Sequence, residues 1–152
     1  MVNNSSVTGA GVAAAFRRSS TLLDSYGAAS DKNLFYGSTI YTDGTTTNST
    51  LAYYKTTVAP RDANSISENP GFLSITGSDP SFLHINPSIP TAIEGGADPI
   101  SGIIDDYDGD SRSSTPAIGA DEFILTIVAC AGQPAAGTIT PASVTKCANQ
   151  TH

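Results

Sequence analysis

Asn69-Pro70-Gly71-Phe72 begins the stretch that decides the predicted fold, and this stretch ends at Phe123. Three further motifs follow in order: Phe82-Leu83-His84-Ile85-Asn86-Pro87, Asp106-Tyr107-Asp108-Gly109-Asp110-Ser111-Arg112 and Ile118-Gly119-Ala120-Asp121-Glu122-Phe123. Apolar runs of roughly four residues alternate with the Asn, Gly and Pro residues that break strands. Short strands joined by bends are typical of the coils of a parallel β-helix, although no strict repeat period is visible.

The sequence before this stretch has the same character and adds one helix. Alternation of Val12, Ala14 and Phe16 with small residues predicts a strand, and residues 33–36 and 38–41 form two more strand-like runs. Residues 50–58 have helical spacing, with apolar side chains at Leu51, Tyr54 and Val58. Either Ser49 or Thr50 is placed to cap this helix, and Pro60 ends it.

The composition favours strands and turns in an extracellular setting. Charged residues make up only 14% of the chain, against about 25% in typical soluble domains. Ser and Thr fill the polar positions, with 19 and 18 copies, and the 14 Gly and 9 Pro residues favour turns over long helices.

The charge balance excludes several partners. The formal net charge is -7 and the 7 Lys and Arg residues are scattered, so no basic stripe exists to neutralise phosphates. We therefore expect no binding to nucleic acid and no docking on anionic lipid. The longest apolar run, residues 124–131, is too short to span a bilayer, so we expect no membrane insertion.

The two cysteines and the N-terminus bear on the compartment. Cys130 and Cys147 lack the second pair and the histidines of a zinc site, which leaves either a disulfide in an exported chain or two free thiols. Met1 is not followed by the basic and apolar regions of a signal peptide. We expect a segment of a longer polypeptide, which would be secreted or held at the cell surface through a signal that this segment lacks.

The four motifs, taken together with Asn64-Ser65-Ile66, resemble the C-terminal end of secreted bacterial right-handed parallel β-helix (pectate-lyase-like) surface proteins, particularly those of Bacteroidota. The family pattern is a D-x-D-G-x-x-R loop followed by D-I-G-A-x-E-[FY], and Ala117 replaces the first Asp of the second motif. The resemblance covers residues 12–123. It implies an all-β fold in which residues 1–123 are the terminal coils and cap of a right-handed parallel β-helix with one short helix.

The C-terminal tail has a second resemblance. Residues 130–139, followed by Val144 and Cys147, are similar to the opening of the Ig-like repeats that follow such solenoids. This implies that residues 124–152 are a linker and the beginning of an Ig-like module. Such a piece cannot bury a core alone, so its natural partners would be neighbouring domains of the same polypeptide.

The acidic loop is the candidate metal site. Asp106, Asp108 and Asp110 alternate around Gly109, as carboxylates do at the start of a calcium loop. The EF-hand pattern then fails, because the twelfth residue is Ala117 rather than Glu. Two interpretations stay open: a looser Ca²⁺ site completed by Asp105, Asp121 or backbone carbonyls, or a turn whose aspartates accept backbone N–H bonds and pair with Arg112. No other cofactor is predicted.

No catalytic residue is predicted. Asp121 and Glu122 are adjacent, so on a strand they would face opposite sides and could not act on one glycosidic bond. The basic residues Arg17, Arg18, Lys55 and Arg61 invite comparison with polysaccharide lyases of the β-helix fold, whose active groove lies on central coils. His84 is expected at the surface or the rim of a contact. Four tyrosines could stack on sugars or pack in the core: Tyr36, Tyr41, Tyr53 and Tyr54.

The resulting functional hypothesis is structural. The chain would be the capping segment of an exported surface protein that works as an adhesin or binds a polysaccharide or cell-surface glycan, without catalysis of its own. The alternative is the terminal part of a polysaccharide lyase or glycoside hydrolase whose active site lies upstream.

Overall fold

A computed structural model describes residues 1–126 of the chain, and these contain five short strands and one helix. The strands are β1 (Val2–Asn3), β2 (Ala14–Arg17), β3 (Tyr36–Gly37), β4 (Thr39–Thr42) and β5 (Thr47–Asn48). The helix α1 spans Leu51–Val58, and no helix among the described residues is long and apolar enough to cross a bilayer.

The strands form two small sheets. β1 pairs with β3 in parallel, and the second sheet has the order β2-β4-β5. β2 and β4 are parallel with Phe16 opposite Tyr41, whereas β4 and β5 form an antiparallel hairpin. Asp43 closes this hairpin, because its Oδ1 accepts the backbone N–H groups of Thr45 and Thr46 at 2.9 and 2.6 Å.

The prediction of a right-handed parallel β-helix is therefore wrong. Parallel pairs occur, but they are two to four residues long and neither sheet is closed or extended into a solenoid. In the stretch that suggested the coils, pairing is reduced to isolated bridges such as Phe72 with Ile85 and Ser74 with Phe82. The all-β assignment is also too simple, because most of the described chain consists of turns and irregular segments around one helix.

Proline explains why the ladders stop. Six of the nine prolines lie between residues 70 and 116, and each removes one backbone donor and fixes φ. The apolar runs between them are long enough to pack side chains but too short to build a ladder. The six prolines are Pro70, Pro80, Pro87, Pro90, Pro99 and Pro116.

The predicted helix is confirmed. Thr50 is its N-cap and accepts the N–H of Tyr53 through its side chain, which resolves the choice between Ser49 and Thr50. Tyr54 and Val58 are fully buried, as their helical spacing predicts.

Two hydrophobic clusters form the core, and one extended segment joins them. The first contains Phe35 together with Ile40, Tyr41, Tyr54 and Val58. The second contains Leu34 together with Ile85, Ile93 and Ala117. Neighbouring side chains on an extended backbone point to opposite faces, so Leu34 and Phe35 place the two clusters on opposite sides of this segment. Ile66 secures this segment, since its carbonyl accepts the N–H of Phe35 at 3.0 Å.

A buried carboxylate anchors the C-terminal side of the helix. Asp62 is fully buried, and it accepts hydrogen bonds from Tyr54 at 2.6 Å, from Asn33 and Ser65 at 2.8 Å, and from Tyr26. Burial by itself raises the pKa of Asp62, but these donors outweigh it and hold the pKa below its ordinary value. The carboxylate is therefore ionised at neutral pH and ties four segments together.

Candidate functional site

The acidic loop is organised by Asp106. Its Oδ1 accepts the backbone N–H groups of Asp108 and Asp110 at 2.8 and 2.9 Å, and its Oδ2 accepts that of Glu122 at 2.7 Å. Burial raises the pKa of Asp106, but these N–H groups outweigh it and lower the pKa below its ordinary value. Gly109 has φ +92, the left-handed conformation that lets the loop turn back on itself.

Two of the three predicted calcium ligands consequently have different partners. Asp106 faces backbone donors, whereas Asp108 lies beside His84. Among residues 1–126, the histidine and carboxylate side chains whose ligand atoms lie within 4.8 Å of one another are His84, Asp108 and Asp121. A calcium site at Asp106, Asp108 and Asp110 stays a prediction.

Arg112, at the end of the acidic loop, contacts the segment that follows the loop. Its guanidinium lies 3.0 Å from Glu122 and donates to the carbonyl of Gly119 at 2.7 Å. Glu122 also accepts the N–H of Ala117 at 2.8 Å. The arginine therefore pairs with Glu122, and not with the aspartates as one of the two interpretations proposed.

Asp121 and Glu122 contact different partners, although they do not lie on the strand that the sequence suggested. Glu122 faces Arg112, and Asp121 Oδ1 lies 3.0 Å from Nδ1 of His84. The other oxygen of Asp121 accepts the N–H of Ile85 at 2.7 Å. That bond fixes Asp121 against the segment that carries the histidine.

His84 is positioned by its buried neighbour. Ile85 lies in the second hydrophobic cluster, so His84 points away from it, and about a third of the imidazole is exposed. Its Nε2 lies 3.6 Å from Asp108 Oδ2. The imidazole is thus held between two carboxylates that come from two later loops of the chain.

These groups line an open groove of about 410 Å³. Asp79 and Phe82 lie along the groove with the three clustered side chains, and Tyr107 is 88% exposed at its rim. The Tyr107 N–H donates to the carbonyl of Ala120 at 3.3 Å, which ties the acidic loop to the segment that carries Asp121. The groove combines an aromatic face with converging hydrogen-bonding groups, and we call it the His84 groove.

A larger cavity of about 540 Å³ lies beside the second hydrophobic cluster. Apolar side chains such as Leu34, Phe72 and Ile93 provide much of its wall. The His84 groove is the better candidate site, because recognition of a polar ligand requires several polar groups that converge on one open space.

Three of the four basic residues considered for lyase chemistry donate hydrogen bonds to the backbone. Arg18 donates to the carbonyl of Leu22 at 2.6 Å, Arg61 to that of Tyr26 at 2.9 Å, and Lys55 to that of Ala63 at 2.8 Å. They hold turns of the chain. None of them lines the His84 groove, and neither does Arg17.

The tyrosines divide between core and surface. Tyr41 and Tyr54 are fully buried, Tyr36 is half-buried, and Tyr53 is 66% exposed on the helix. Tyr107 was not singled out in the sequence, because only the fold shows that it lies beside His84.

Two sequence predictions lie outside the described residues. These are the choice between a disulfide and two free thiols at Cys130 and Cys147, and the Ig-like beginning of residues 124–152, nearly all of which lies in residues 127–152. Comparisons of the chain with protein-family models, with curated proteins and with solved structures found no match.

Proposed function

We propose that this protein is a carbohydrate-binding module of an exported or cell-surface protein and that it binds neutral glycans in the His84 groove without cleaving them. The observation that carries the proposal is the exposed ring of Tyr107 beside the polar groups of His84, Asp108 and Asp121. A sugar presents apolar C–H faces and a rim of hydroxyls, so it needs both an aromatic surface and hydrogen-bond acceptors.

The charge of the groove supports a neutral glycan. Asp79, Asp108 and Asp121 line it, whereas Lys and Arg do not. The whole chain carries a formal net charge of -7. A polyuronate would meet like charge on approach and in the groove, whereas hydroxyl groups donate well to carboxylates.

The setting of the groove supports binding rather than catalysis. Asp121 is held by the Ile85 N–H and by His84, and Asp108 is held beside His84. The low-charge, Ser- and Thr-rich composition supports an extracellular location, where such glycans are found.

The test is calorimetric titration of the full chain with neutral oligosaccharides and with an oligouronate. Burying roughly 55 Å² of the Tyr107 ring at about 25 cal/mol per Å² corresponds to about 1.4 kcal/mol, so Tyr107→Ala should weaken binding about tenfold. Tyr53→Ala is the matched control, because it removes an exposed tyrosine from the helix, which does not line the groove.

Three results would overturn the proposal. These are no binding of any neutral glycan, equal binding by wild type and Tyr107→Ala, or release of new reducing ends or unsaturated sugars during the titration. The last result would favour the hydrolase or lyase alternative.

A further inference from the structure

We infer that His84, Asp108 and Asp121 form a binding site for a divalent transition-metal ion of the zinc class. Each side chain offers one ligand atom, and the three atoms lie within 4.8 Å of one another. This inference rests on side-chain geometry alone and does not depend on glycan binding.

The three side chains lie close enough together to converge on a tetrahedral ion. Zinc binds histidine nitrogen and carboxylate oxygen at about 2.1 Å, so neighbouring ligand atoms around it are about 3.4 Å apart. Nδ1 of His84 lies 3.0 Å from Oδ1 of Asp121, whereas its other ring nitrogen, Nε2, lies 3.6 Å from Oδ2 of Asp108. One ligand atom from each of the three side chains lies within 4.8 Å of the others, so rotation of the imidazole or of one carboxylate would bring a single ring nitrogen and two carboxylate oxygens around one ion.

The donor set selects the class of metal. One imidazole and two carboxylates suit zinc and its neighbours in the first transition series. Calcium instead requires six to eight oxygen ligands, typically without nitrogen. Three protein ligands leave the fourth tetrahedral position open to water or to a ligand hydroxyl.

The surroundings hold two of the ligands in place before an ion arrives. The Ile85 N–H fixes the second oxygen of Asp121, and the carboxylate of Asp106 fixes the backbone of Asp108. Such supporting hydrogen bonds orient metal ligands in proteins. The Asp108 side chain is 38% exposed, so the ion has an open route from solvent.

The test is titration of the full chain with zinc chloride in the absence of sugar, followed by calorimetry and by the melting temperature. We expect binding of one zinc ion at this site and a rise in Tm of roughly 8 °C when free zinc is about 100 times the Kd. His84→Ala and Asp121→Asn should each weaken binding at least tenfold. Asp110→Asn is the control, because this residue lies in the same loop outside the cluster.

The tail contains other potential zinc ligands, so a second chain with Cys130→Ser, Cys147→Ser and His152→Ala is titrated in parallel. Zinc binding that persists in this chain and disappears with His84→Ala supports the site. Binding that persists in His84→Ala, or that is lost with the tail substitutions, overturns it. No zinc binding, or a calcium response abolished by Asp110→Asn without a zinc response, also overturns it.

Discussion

Removal of the Asp62 carboxylate gives the sharpest test of how the core is held together. Asp62→Asn keeps the shape of the side chain but replaces one acceptor oxygen with an NH₂ group. Asp62→Ala removes both oxygens and leaves four former donors in a buried site: Tyr26, Asn33, Tyr54 and Ser65. The two substitutions therefore separate the loss of charge from the loss of every acceptor, with the difference that Asp62→Ala also places an alanine in the left-handed backbone conformation of residue 62, whose φ is 54.

The expected magnitude follows from the number and kind of donors. A hydrogen bond to a charged group contributes a net of about 1.5 kcal/mol or more, and a buried donor left unpaired costs about 1–3 kcal/mol. Asn can still accept from Asn33 and Ser65, and tyrosine hydroxyls can reverse their role. We expect Asp62→Asn to cost about 2 kcal/mol and Asp62→Ala about 4 kcal/mol, because some donors find water or new partners.

The pH dependence has a defined sign. The folded pKa of Asp62 is lowered, so the unfolded state binds more protons in the acidic range. The carboxylate therefore contributes its full stability above the unfolded pKa of about 3.9, and this contribution is lost as the pH falls below that value through the folded pKa. Wild type should lose stability in that window more steeply than Asp62→Asn.

The assay is urea unfolding followed by tyrosine fluorescence, since the chain has six tyrosines and no tryptophan. Asp31→Asn is the matched control, because its carboxylate also accepts hydrogen bonds from an asparagine but lies at the surface. An Asp62→Asn protein with the wild-type urea midpoint and the wild-type acid profile would refute the reasoning.

Two further predictions concern smaller contacts. Glu122→Gln should cost about 2 kcal/mol in urea unfolding, because it leaves the mostly buried Arg112 guanidinium without its charged partner; an unchanged midpoint would contradict this. Thr50→Ala should cost about 0.5–1 kcal/mol through loss of the helix cap, whereas Ser49→Ala should be nearly neutral, and equal losses from both would contradict the capping assignment.

The features that the sequence predicted correctly are local. The helix from Leu51 to Val58 depends on residues within two turns of each other and on a cap directly before it. His84 is partly exposed, in agreement with its expected place at the surface or the rim of a contact. Such features are decided by near neighbours, so a single sequence contains the information that they need.

The prediction of a β-helix was wrong because a β-helix requires backbone pairing between apolar runs that are distant in the sequence. Apolar runs and their order say which side chains are buried, but not whether backbone donors are available to build ladders. Phe72 and Ile85 do meet, yet only as one isolated antiparallel bridge between prolines, and not as part of a parallel ladder. The density of proline between residues 70 and 116 was visible in the sequence and was the signal against long parallel sheets.

The turn around Asp106 also determines where the side chains of the candidate site lie. Asp106 accepts the N–H groups of Asp108 and Glu122, so one carboxylate sets the position of the acidic loop relative to the segment that begins at Asp121. The Ile85 N–H donates to Asp121, and this hydrogen bond keeps the neighbouring residue His84 close to Asp121. Because the turn already uses the Asp106 carboxylate, Asp108 is left free to face His84. The same hydrogen bonds that weaken Asp106 as a cation ligand therefore assemble the His84 groove.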